Sequence, residues 1–317
     1  MNFTTRKKTS THTCGACFDQ YYTTISKRDV AVAQRCKRCK ILCEACNGDG
    51  VIFSSRPDGY QVVADCPRCT NLEMRMKRFN EARLPARYFD KDFGGFNIYS
   101  DEDLTREVGN LNEIRSLLHN YAMTFTLRDR GILLTGRVGT GKTHLMIAFV
   151  RYLTLEKGMQ CRFIEFTHLL SELREAYETR QNAADILNNL SAVPILFIDE
   201  LGKGRKSDWE LGIIDELISK RYNACLPTFF TTNYPLNAPR RGTKGNVTDT
   251  EAPDYVPSMI GETLGARVGE RIVSRIFEMC EVKTITDDVP DFRDRQRRRR
   301  QQEQEGAPRS SATHRSR

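Results

Sequence analysis

The chain has 317 residues, of which 39% are hydrophobic and 28% charged, and its formal net charge is +8. It has no apolar run near the length of about eighteen residues that a membrane span needs, and its polar start lacks the apolar stretch of a signal peptide. These features predict a cytoplasmic protein with no membrane contact and, at this length, with two domains.

Eleven cysteines are unusual for a cytoplasmic chain, and eight of them form four Cys-x-x-Cys pairs. Each pair supplies half of a tetrahedral zinc site, and reducing conditions disfavour disulfides. Taken in order, the pairs match the spacing of two zinc ribbons, although nested or interleaved pairings also use all eight. The predicted Zn²⁺ ligands are Cys14, Cys17, Cys36, Cys39, Cys43, Cys46, Cys66 and Cys69.

A hinge is predicted after the cysteine-rich region. Residues 71–83 are charged and compatible with a helix, and Leu84-Pro85 stops it, because proline disfavours helix at the preceding residue. Residues 89–96 are aromatic and contain glycine, which suits a linker docked on the next domain. A further helix is predicted over residues 104–127.

The most informative stretch is Gly136-Arg-Val-Gly-Thr-Gly-Lys-Thr143, a complete phosphate-binding loop. It lies between an apolar strand, residues 131–135, and an apolar helix, residues 144–155, which disfavours a chance glycine-rich turn. The backbone N–H groups wrap a triphosphate, the lysine reaches its outer phosphates and the threonine coordinates Mg²⁺. The predicted ATP-binding residues of this loop are Gly136, Gly139, Thr140, Gly141, Lys142 and Thr143.

Two acids end the next strongly apolar strand, residues 194–200. The carboxyl end of a buried parallel strand opens on the ligand crevice, so Asp199 is predicted to hold Mg²⁺ through water and Glu200 to polarise the attacking water. The alternative is that both acids only cap the following helix. Asn233 follows a third strand, residues 227–232, and is predicted to orient the same water, although such an asparagine is usually a turn residue.

Strand and helix patterns alternate through this region, with a strand at 161–166 and helices at 169–179 and 208–226. Alternation of this kind predicts an α/β fold with three layers around a parallel sheet. Residues 240–258 are polar and predict a mobile loop. The helix predicted over residues 208–226 is expected to bury one face. Three cysteines outside the Cys-x-x-Cys pairs are expected in the core. These residues are Ile213, Ile214, Leu217 and Ile218 on the helix, and Cys161, Cys225 and Cys280.

The segment of residues 269–278 places Arg271 and Arg275 four apart on one helical face. They form either a solvated basic face paired with glutamates or an arginine supplied to the γ-phosphate of a neighbouring subunit. The tail, residues 294–317, is rich in arginine and nearly devoid of apolar residues, which predicts disorder. It serves either as a solubilising tail or as a phosphate-contacting arm.

From about Cys43 to Arg293 the chain resembles the DnaC/DnaI family of bacterial and phage replicative-helicase loaders, within the AAA+ ATPases. The central motifs are shared with the IstB-type transposition ATPases, so they are specific to the clan. The matching motifs are Cys66-Pro-Arg-Cys69, Leu84-Pro-x-Arg-Tyr-Phe, Gly-Thr-Gly-Lys-Thr-His-Leu145, Leu-Leu-Ser-Glu-Leu-Arg-Glu-Ala-Tyr177, Phe-Ile-Asp-Glu-Leu-Gly202, Phe-Thr-Thr-Asn233, Arg-Ile-Val-Ser-Arg275-Ile and Asp-Phe-Arg293.

This resemblance implies an AAA+ P-loop ATPase domain over residues 97–293, preceded by a small zinc-binding domain over 1–72 and a hinge over 73–96. It implies an ATP-dependent loader that binds a hexameric replicative helicase through the zinc domain, with ATP hydrolysis driving release. Residues 166–177 match the helix that faces single-stranded DNA, and Arg275 matches the arginine that acts between associated subunits, with Arg271 as second choice. The alternative is an IstB-like regulator of DNA transposition. The first two cysteine pairs and the arginine-rich tail have no firm counterpart in the family.

Overall fold

The computed structural model describes residues 14–18, 20–38, 51–55, 59–66, 69–99, 106–179, 183–237, 262–294 and 297. Two antiparallel β-hairpins lie in the first part of this range. The first hairpin joins β1 (Tyr22–Lys27) to β2 (Val30–Arg35), and the second joins β3 (Val51–Ser55) to β4 (Gln61–Asp65). Ala31 and Ala33 of β2 are buried, which marks the face of the first hairpin that packs against the rest of the molecule.

Helix α1 (Cys69–Glu81) ends before Leu84-Pro85, as predicted, and a short 3₁₀ turn at Ala86–Tyr88 follows. Helix α2 (Leu111–Thr124) begins seven residues later than the predicted start at 104. The prediction was wrong there because Gly109 has a left-handed backbone with φ +52° and Glu107 forms an isolated β-bridge with Tyr99. Neither conformation continues into a helix.

The central sheet has five parallel strands: β5 (Gly131–Thr135), β6 (Cys161–Glu165), β7 (Ile195–Asp199), β8 (Thr228–Thr232) and β9 (Cys280–Thr284). Their order across the sheet is β6-β7-β8-β5-β9, so the strand that precedes the phosphate-binding loop lies between β8 and β9. The first four strands were predicted. Strand β9 was missed because its sequence, Cys-Glu-Val-Lys-Thr, belongs to a half-exposed edge strand and is not an apolar run.

Six helices among the described residues follow β5. They are α3 (Lys142–Arg151), continued by a π-helical turn at Tyr152–Glu156, α4 (Phe166–Glu178), α5 (Ala183–Ala192), α6 (Asp208–Asn223), α7 (Leu264–Val268) and α8 (Glu270–Met279). In the part of the chain that the structure covers, no helix is long and apolar enough to cross a membrane.

The helices cover both faces of the sheet, which confirms the three-layer α/β prediction. Strand β7 shows the division, since Ile195 and Phe197 belong to the core with α2 and α3, whereas Leu196 and Ile198 belong to the core with α4, α5, α6 and α8. The stacked rings of Phe197 and Phe229 lie 4.5 Å apart at the centre of the first core. A sheet buried on both faces fixes the positions of its strand ends, where the candidate site lies.

The predicted buried face of α6 is confirmed, since Ile213, Ile214, Leu217 and Ile218 are all buried. Cys161 and Cys280 are in the core as predicted, but Cys225 is exposed. The prediction for Cys225 was wrong because this residue lies just after α6, in a turn where its φ is +52°. The predicted loop at 240–258 and nearly all of the predicted disordered tail lie outside the described residues.

Candidate nucleotide-binding site

A cavity of about 250 Å³ lies at the carboxyl ends of β5, β7 and β8. The phosphate-binding loop and the start of α3 form its floor, and the hinge after Pro85 and the segment that follows β9 form its walls. Its lining includes Gly139, Gly141, Lys142, Thr143, Glu200 and Asn233 from the predicted site, together with Tyr88, Lys91, Phe96, His144, Phe292 and Arg293. The structure thus brings the separate predicted motifs to one place.

The loop needs glycine at two positions for geometric reasons. Gly139 and Gly141 have φ angles of +78° and +92°, which L-residues with side chains rarely adopt. A Cβ atom at Gly141 would lie 2.6 Å from Cε2 of Phe96, and one at Gly139 would lie 1.9 Å from Oδ1 of Asp291. Thr140 is buried and its hydroxyl donates to the Arg137 carbonyl at 2.9 Å, which holds the loop closed on itself.

Lys142 folds back onto the loop that precedes it. Its Nζ donates to the carbonyl oxygens of Gly136 at 2.7 Å and Arg137 at 2.6 Å. Burial lowers the pKa of Lys142 to about 8, and the carboxylates of Asp199 and Glu200 oppose that shift. A bound phosphate offers Nζ stronger, charged acceptors than these two carbonyls.

Asp199 lies at the end of β7 and accepts hydrogen bonds from two threonine hydroxyls. Thr143 Oγ1 donates to Oδ1 and Oδ2 at 3.1 and 2.9 Å, and Thr231 Oγ1 donates to Oδ1 at 2.5 Å. Burial raises the pKa of Asp199 to about 6, and the two threonine bonds oppose this. A buried carboxylate beside a threonine hydroxyl provides the hard oxygen ligands that suit Mg²⁺.

Glu200 occupies an unusual backbone conformation at the junction of β7 and the next loop. Its φ is +56°, and its N–H donates to Thr231 Oγ1 at 2.9 Å, so the same hydroxyl holds both acids of the strand end. The Glu200 carboxylate forms an ion pair with Lys203 and lines the cavity with Asn233. This conformation places adjacent acids in different roles: Asp199 against Thr143, and Glu200 toward the open cavity.

The segment after β9 supplies two cavity residues that sequence reasoning did not assign to the site. Phe292 and Arg293 line the cavity, and the Phe292 N–H donates to the Gly139 carbonyl at 3.1 Å. The positive charge of Arg293 is close enough to Lys142 to lower its pKa further. The motif Asp-Phe-Arg293 contributed to the family resemblance, but no pattern in it indicates that the chain returns to the phosphate-binding loop.

Arg271 and Arg275 are absent from the lining of this cavity in the described structure. Both form ion pairs with Asp215 of α6, and Arg275 also donates to Ser219 Oγ at 2.6 Å. The side chain of Arg271 is 71% exposed and that of Arg275 is 28% exposed. Neither arginine therefore serves the nucleotide site of its own chain in this arrangement.

Three of the predicted zinc ligands lie together at the open end of the first hairpin. The Sγ atoms of Cys14, Cys17 and Cys36 lie within 4.8 Å of one another, and those of Cys14 and Cys36 are 3.8 Å apart. When four thiolates bind a tetrahedral zinc at about 2.3 Å, their sulfur atoms lie about 3.8 Å from one another. The donor set therefore fits zinc and fits the predicted pairing of the first two Cys-x-x-Cys pairs.

The remaining predicted ligands are less fully described. Cys39, Cys43 and Cys46 lie outside the described residues, as does the side chain of Cys69 at the start of α1. Cys66 directly follows β4 and is buried. The second zinc site stays a prediction.

The parallel sheet, the phosphate-binding loop and the acid pair at the strand end define the nucleotide-binding fold of a P-loop ATPase. Comparison with known proteins agrees: a family model described as "IstB-like ATP binding protein" matches residues 79–242. The chain belongs to this IstB-like ATP-binding family.

Curated relatives carry a more specific name. The chain is 27% identical over 165 residues to the "Replicative helicase loader DnaC" of Escherichia coli (strain K12), and 26% identical over 166 residues to that of Buchnera aphidicola subsp. Schizaphis graminum. Each match covers 51% of this chain and 64% of the relative. A solved structure titled "Crystal structure of the DnaC helicase loader" is 25% identical, with a TM-score of 0.49, and the match covers 63% of this chain and 99% of that one.

Proposed function

We propose that this protein is an ATP-dependent loader that places a replicative helicase on single-stranded DNA. The observation that carries the proposal is that Lys142, Thr143 and Glu200 line one cavity and that Asp199 is hydrogen-bonded to Thr143, in a chain with curated relatives named replicative helicase loaders. ATP binding organises the loader, and ATP hydrolysis releases the helicase.

In this proposal the triphosphate lies along the phosphate-binding loop. Lys142 exchanges its two carbonyl partners for the outer phosphates, and Thr143 and Asp199 hold Mg²⁺. Mg²⁺ held by these two residues would neutralise charge that develops on the phosphates. Glu200 accepts a proton from the attacking water, and Asn233 orients that water from the end of the neighbouring strand.

Arginines complete the proposed site from two directions. Arg293 contributes a cation from the same chain, since it lines the cavity beside Lys142. Arg271 or Arg275 acts on the site of an adjacent subunit, where it stabilises charge in the transition state. Arg271 is the more exposed of the two and is the easier one for a neighbouring subunit to reach.

Single-stranded DNA is proposed to contact the exposed side of α4. Tyr177 is 55% exposed there and its ring lies 6.2 Å from that of Trp209. The Arg174 guanidinium lies over the same indole at 5.3 Å. An exposed tyrosine ring near an arginine suits base stacking, which tolerates any sequence.

Zinc is proposed to occupy two sites, one at Cys14, Cys17, Cys36 and Cys39 and one at Cys43, Cys46, Cys66 and Cys69. The close thiols of the first site support that assignment. Two zinc ions per chain are expected from metal analysis of the purified protein, and fewer than two would contradict the two-site arrangement.

Glu200→Gln tests the hydrolytic part of the proposal. The amide cannot accept the water proton, so kcat for ATP hydrolysis is expected to fall at least about 100-fold, while a fluorescent ATP analogue still binds. Glu216→Gln is the matched control, because Glu216 is exposed on α6 and is paired only with Lys220 among the described contacts. Unchanged hydrolysis in Glu200→Gln would show that another group is the base.

The loading part is tested by affinity purification from the native host with Mg²⁺ and ATP. The Glu200→Gln variant is expected to retain more helicase than the natural protein, because hydrolysis is the proposed release step. Recovery of a transposase and no helicase would overturn the loader proposal.

The name of the matching family model favours one alternative, an IstB-like ATPase that regulates DNA transposition. The two candidates differ in the DNA they prefer. Fluorescence anisotropy with single-stranded and duplex oligonucleotides of equal length separates them: a single-strand preference supports the loader, and a duplex preference supports the transposition regulator.

A further inference from the structure

The first hairpin is hydrogen-bonded to the hinge that leads into the nucleotide-binding fold. The Ala31 N–H donates to the Leu84 carbonyl at 2.8 Å, and the Ala86 N–H donates to the Asp29 carbonyl at 3.0 Å. Val30 and Pro85 form an antiparallel bridge between these two bonds. The hinge therefore lies beside the start of β2 and is joined to it by one bridge.

Side chains reinforce the same contact. The Asn80 amide of α1 accepts from the Ala33 N–H at 2.7 Å and donates to the Ala33 carbonyl at 3.2 Å. Ala31, Ala33 and Tyr22 are buried in the core that contains α3 and Phe79. Because these groups are buried together, separating the hairpin from the fold exposes apolar surface to water.

The hairpin also contacts the end of the phosphate-binding helix. Tyr22 Oη donates to Glu156 Oε1 at 3.1 Å. Arg151 of α3 donates both to Thr24 Oγ1 at 3.0 Å and to the Phe89 carbonyl at 2.9 Å, so one guanidinium ties β1, α3 and the hinge together.

The hinge in turn forms a wall of the nucleotide cavity. Tyr88, Lys91 and Phe96 line it. Phe96 packs against Gly141 and against the His144 ring, whose centroid is 5.1 Å away. The position of this wall relative to the phosphate-binding loop therefore depends on what holds the hinge.

The second hairpin is less buried than the first where the structure describes it. Among the described residues, no side chain of β3 or β4 belongs to either core, and Phe53 and Val63 are 64% and 56% exposed although they pair across the strands. The two cysteine-rich hairpins thus differ in their relation to the nucleotide-binding fold.

The cysteine cluster closes the end of the first hairpin. Cys36 directly follows β2, and its N–H donates to the carbonyl of Tyr21, the residue before β1. An isolated two-stranded hairpin is marginally stable in water, whereas metal binding to thiolates that only the folded chain brings together adds folding free energy. A metal bound by Cys14, Cys17 and Cys36 would hold the strand ends together.

We propose that the first cysteine-rich hairpin belongs to the nucleotide-binding unit, and that metal binding at Cys14, Cys17 and Cys36 positions the cavity wall for ATP. This inference rests on the proposed first zinc site. It assigns that site a role in nucleotide affinity. Metal and nucleotide binding are then positively coupled, and each raises the affinity for the other by the same factor.

Cys36→Ser in the full chain tests this coupling. It is expected to lose one zinc ion and to raise the Kd for a non-hydrolysable fluorescent ATP analogue at least about fivefold, which is the low end of typical coupling between sites. Cys66→Ser, at the same position after the second hairpin, is expected to lose one zinc ion with less than about a twofold change in Kd, because no described side chain of β3 or β4 belongs to the core that contains the hinge. Equal affinities in the two variants would overturn the proposal.

The reciprocal measurement needs no change at the first site and separates coupling from misfolding. Zinc affinity is measured by competition with a chromophoric chelator in Cys66→Ser, with and without the Mg²⁺–ATP analogue. The analogue is expected to tighten zinc binding by the same factor, and Lys142→Ala is expected to abolish this effect. The same zinc affinity with and without the analogue would contradict the inference.

The outcomes also distinguish this inference from the proposed function. Loss of hydrolysis or of helicase recovery leaves both binding measurements unaffected. A natural protein that contains no zinc would refute the metal site and the coupling together, and it would leave the loader proposal standing.

Discussion

Asp199 is a buried carboxyl group at the end of β7. Burial raises its pKa from an ordinary 3.8 to about 6. A carboxyl group whose pKa is higher in the folded state contributes stability below its unfolded pKa, and this contribution is lost as pH rises through the folded pKa. The loss between about pH 4 and pH 6 is on the order of 3 kcal/mol at 1.36 kcal/mol per pKa unit.

Asp199→Asn is therefore expected to unfold less readily than the natural protein at pH 8, by about 2 kcal/mol in the absence of nucleotide. The difference is expected to shrink by about half at pH 5, where the folded Asp199 is largely protonated. Urea denaturation at the two pH values measures it. The same variant is expected to lose Mg²⁺-dependent binding of the ATP analogue. A variant that is less stable at pH 8 would show that the threonine bonds outweigh burial.

At the scale of single elements, Ser207 is the N-cap of α6. Ser207 Oγ accepts from the Glu210 N–H at 3.3 Å, and Glu210 Oε2 accepts from the Lys206 N–H at 2.9 Å. These bonds satisfy one N–H group in the first turn of the helix and one just before the N-cap. They also anchor the loop that connects Glu200 to the helix.

Ser207→Ala is expected to cost about 1 kcal/mol of unfolding free energy, because an N-cap acceptor is lost. Ser171→Ala is the matched control: its hydroxyl is exposed on α4 and donates within its own helix, to the Thr167 carbonyl. The control is expected to change stability by less than about 0.5 kcal/mol. Chemical denaturation of both variants checks the pair, and equal costs would mean that the cap contributes nothing specific.

At the scale of the whole molecule, the net charge of +8 is concentrated partly in the tail, where residues 294–317 contain eight arginines and three acids. If the tail contacts phosphates, each contact releases counterions and adds about 0.7 to the slope of log affinity against log salt for single strands. Replacing the eight arginines with glutamine keeps the length and removes the charge. If half of the arginines contact phosphates, we expect this variant to reduce the magnitude of the slope by about 3.

Fluorescence anisotropy with a single-stranded oligonucleotide between about 50 and 200 mM salt measures that slope. Deletion of residues 295–317 is the companion variant, and it is expected to give the same slope as the glutamine tail. An unchanged slope in both variants would assign the tail to solubility instead of DNA contact.

The sequence alone was sufficient for features that depend on neighbouring residues. The phosphate-binding loop, the apolar strands β5, β7 and β8, and the acids that follow β7 are local patterns, because the chemistry and the backbone conformation lie within a few residues of each other. The three-layer fold followed from the alternation of these patterns. The buried face of α6 followed from its periodicity in the same way.

Only the tertiary structure could decide which distant segments meet. Arg293 reaches the phosphate-binding loop because β9 lies beside β5 in the sheet, and an edge strand of mixed polarity leaves no local signal. An arginine near a helix end, such as Arg221, is expected at the surface. In the structure it is fully buried, and it donates to the carbonyls of Leu190, Val193 and Pro227. The first hairpin packs on the hinge through backbone hydrogen bonds, which no side-chain pattern encodes. Contacts of this kind arise from the arrangement of whole elements, and the local sequence does not contain that arrangement.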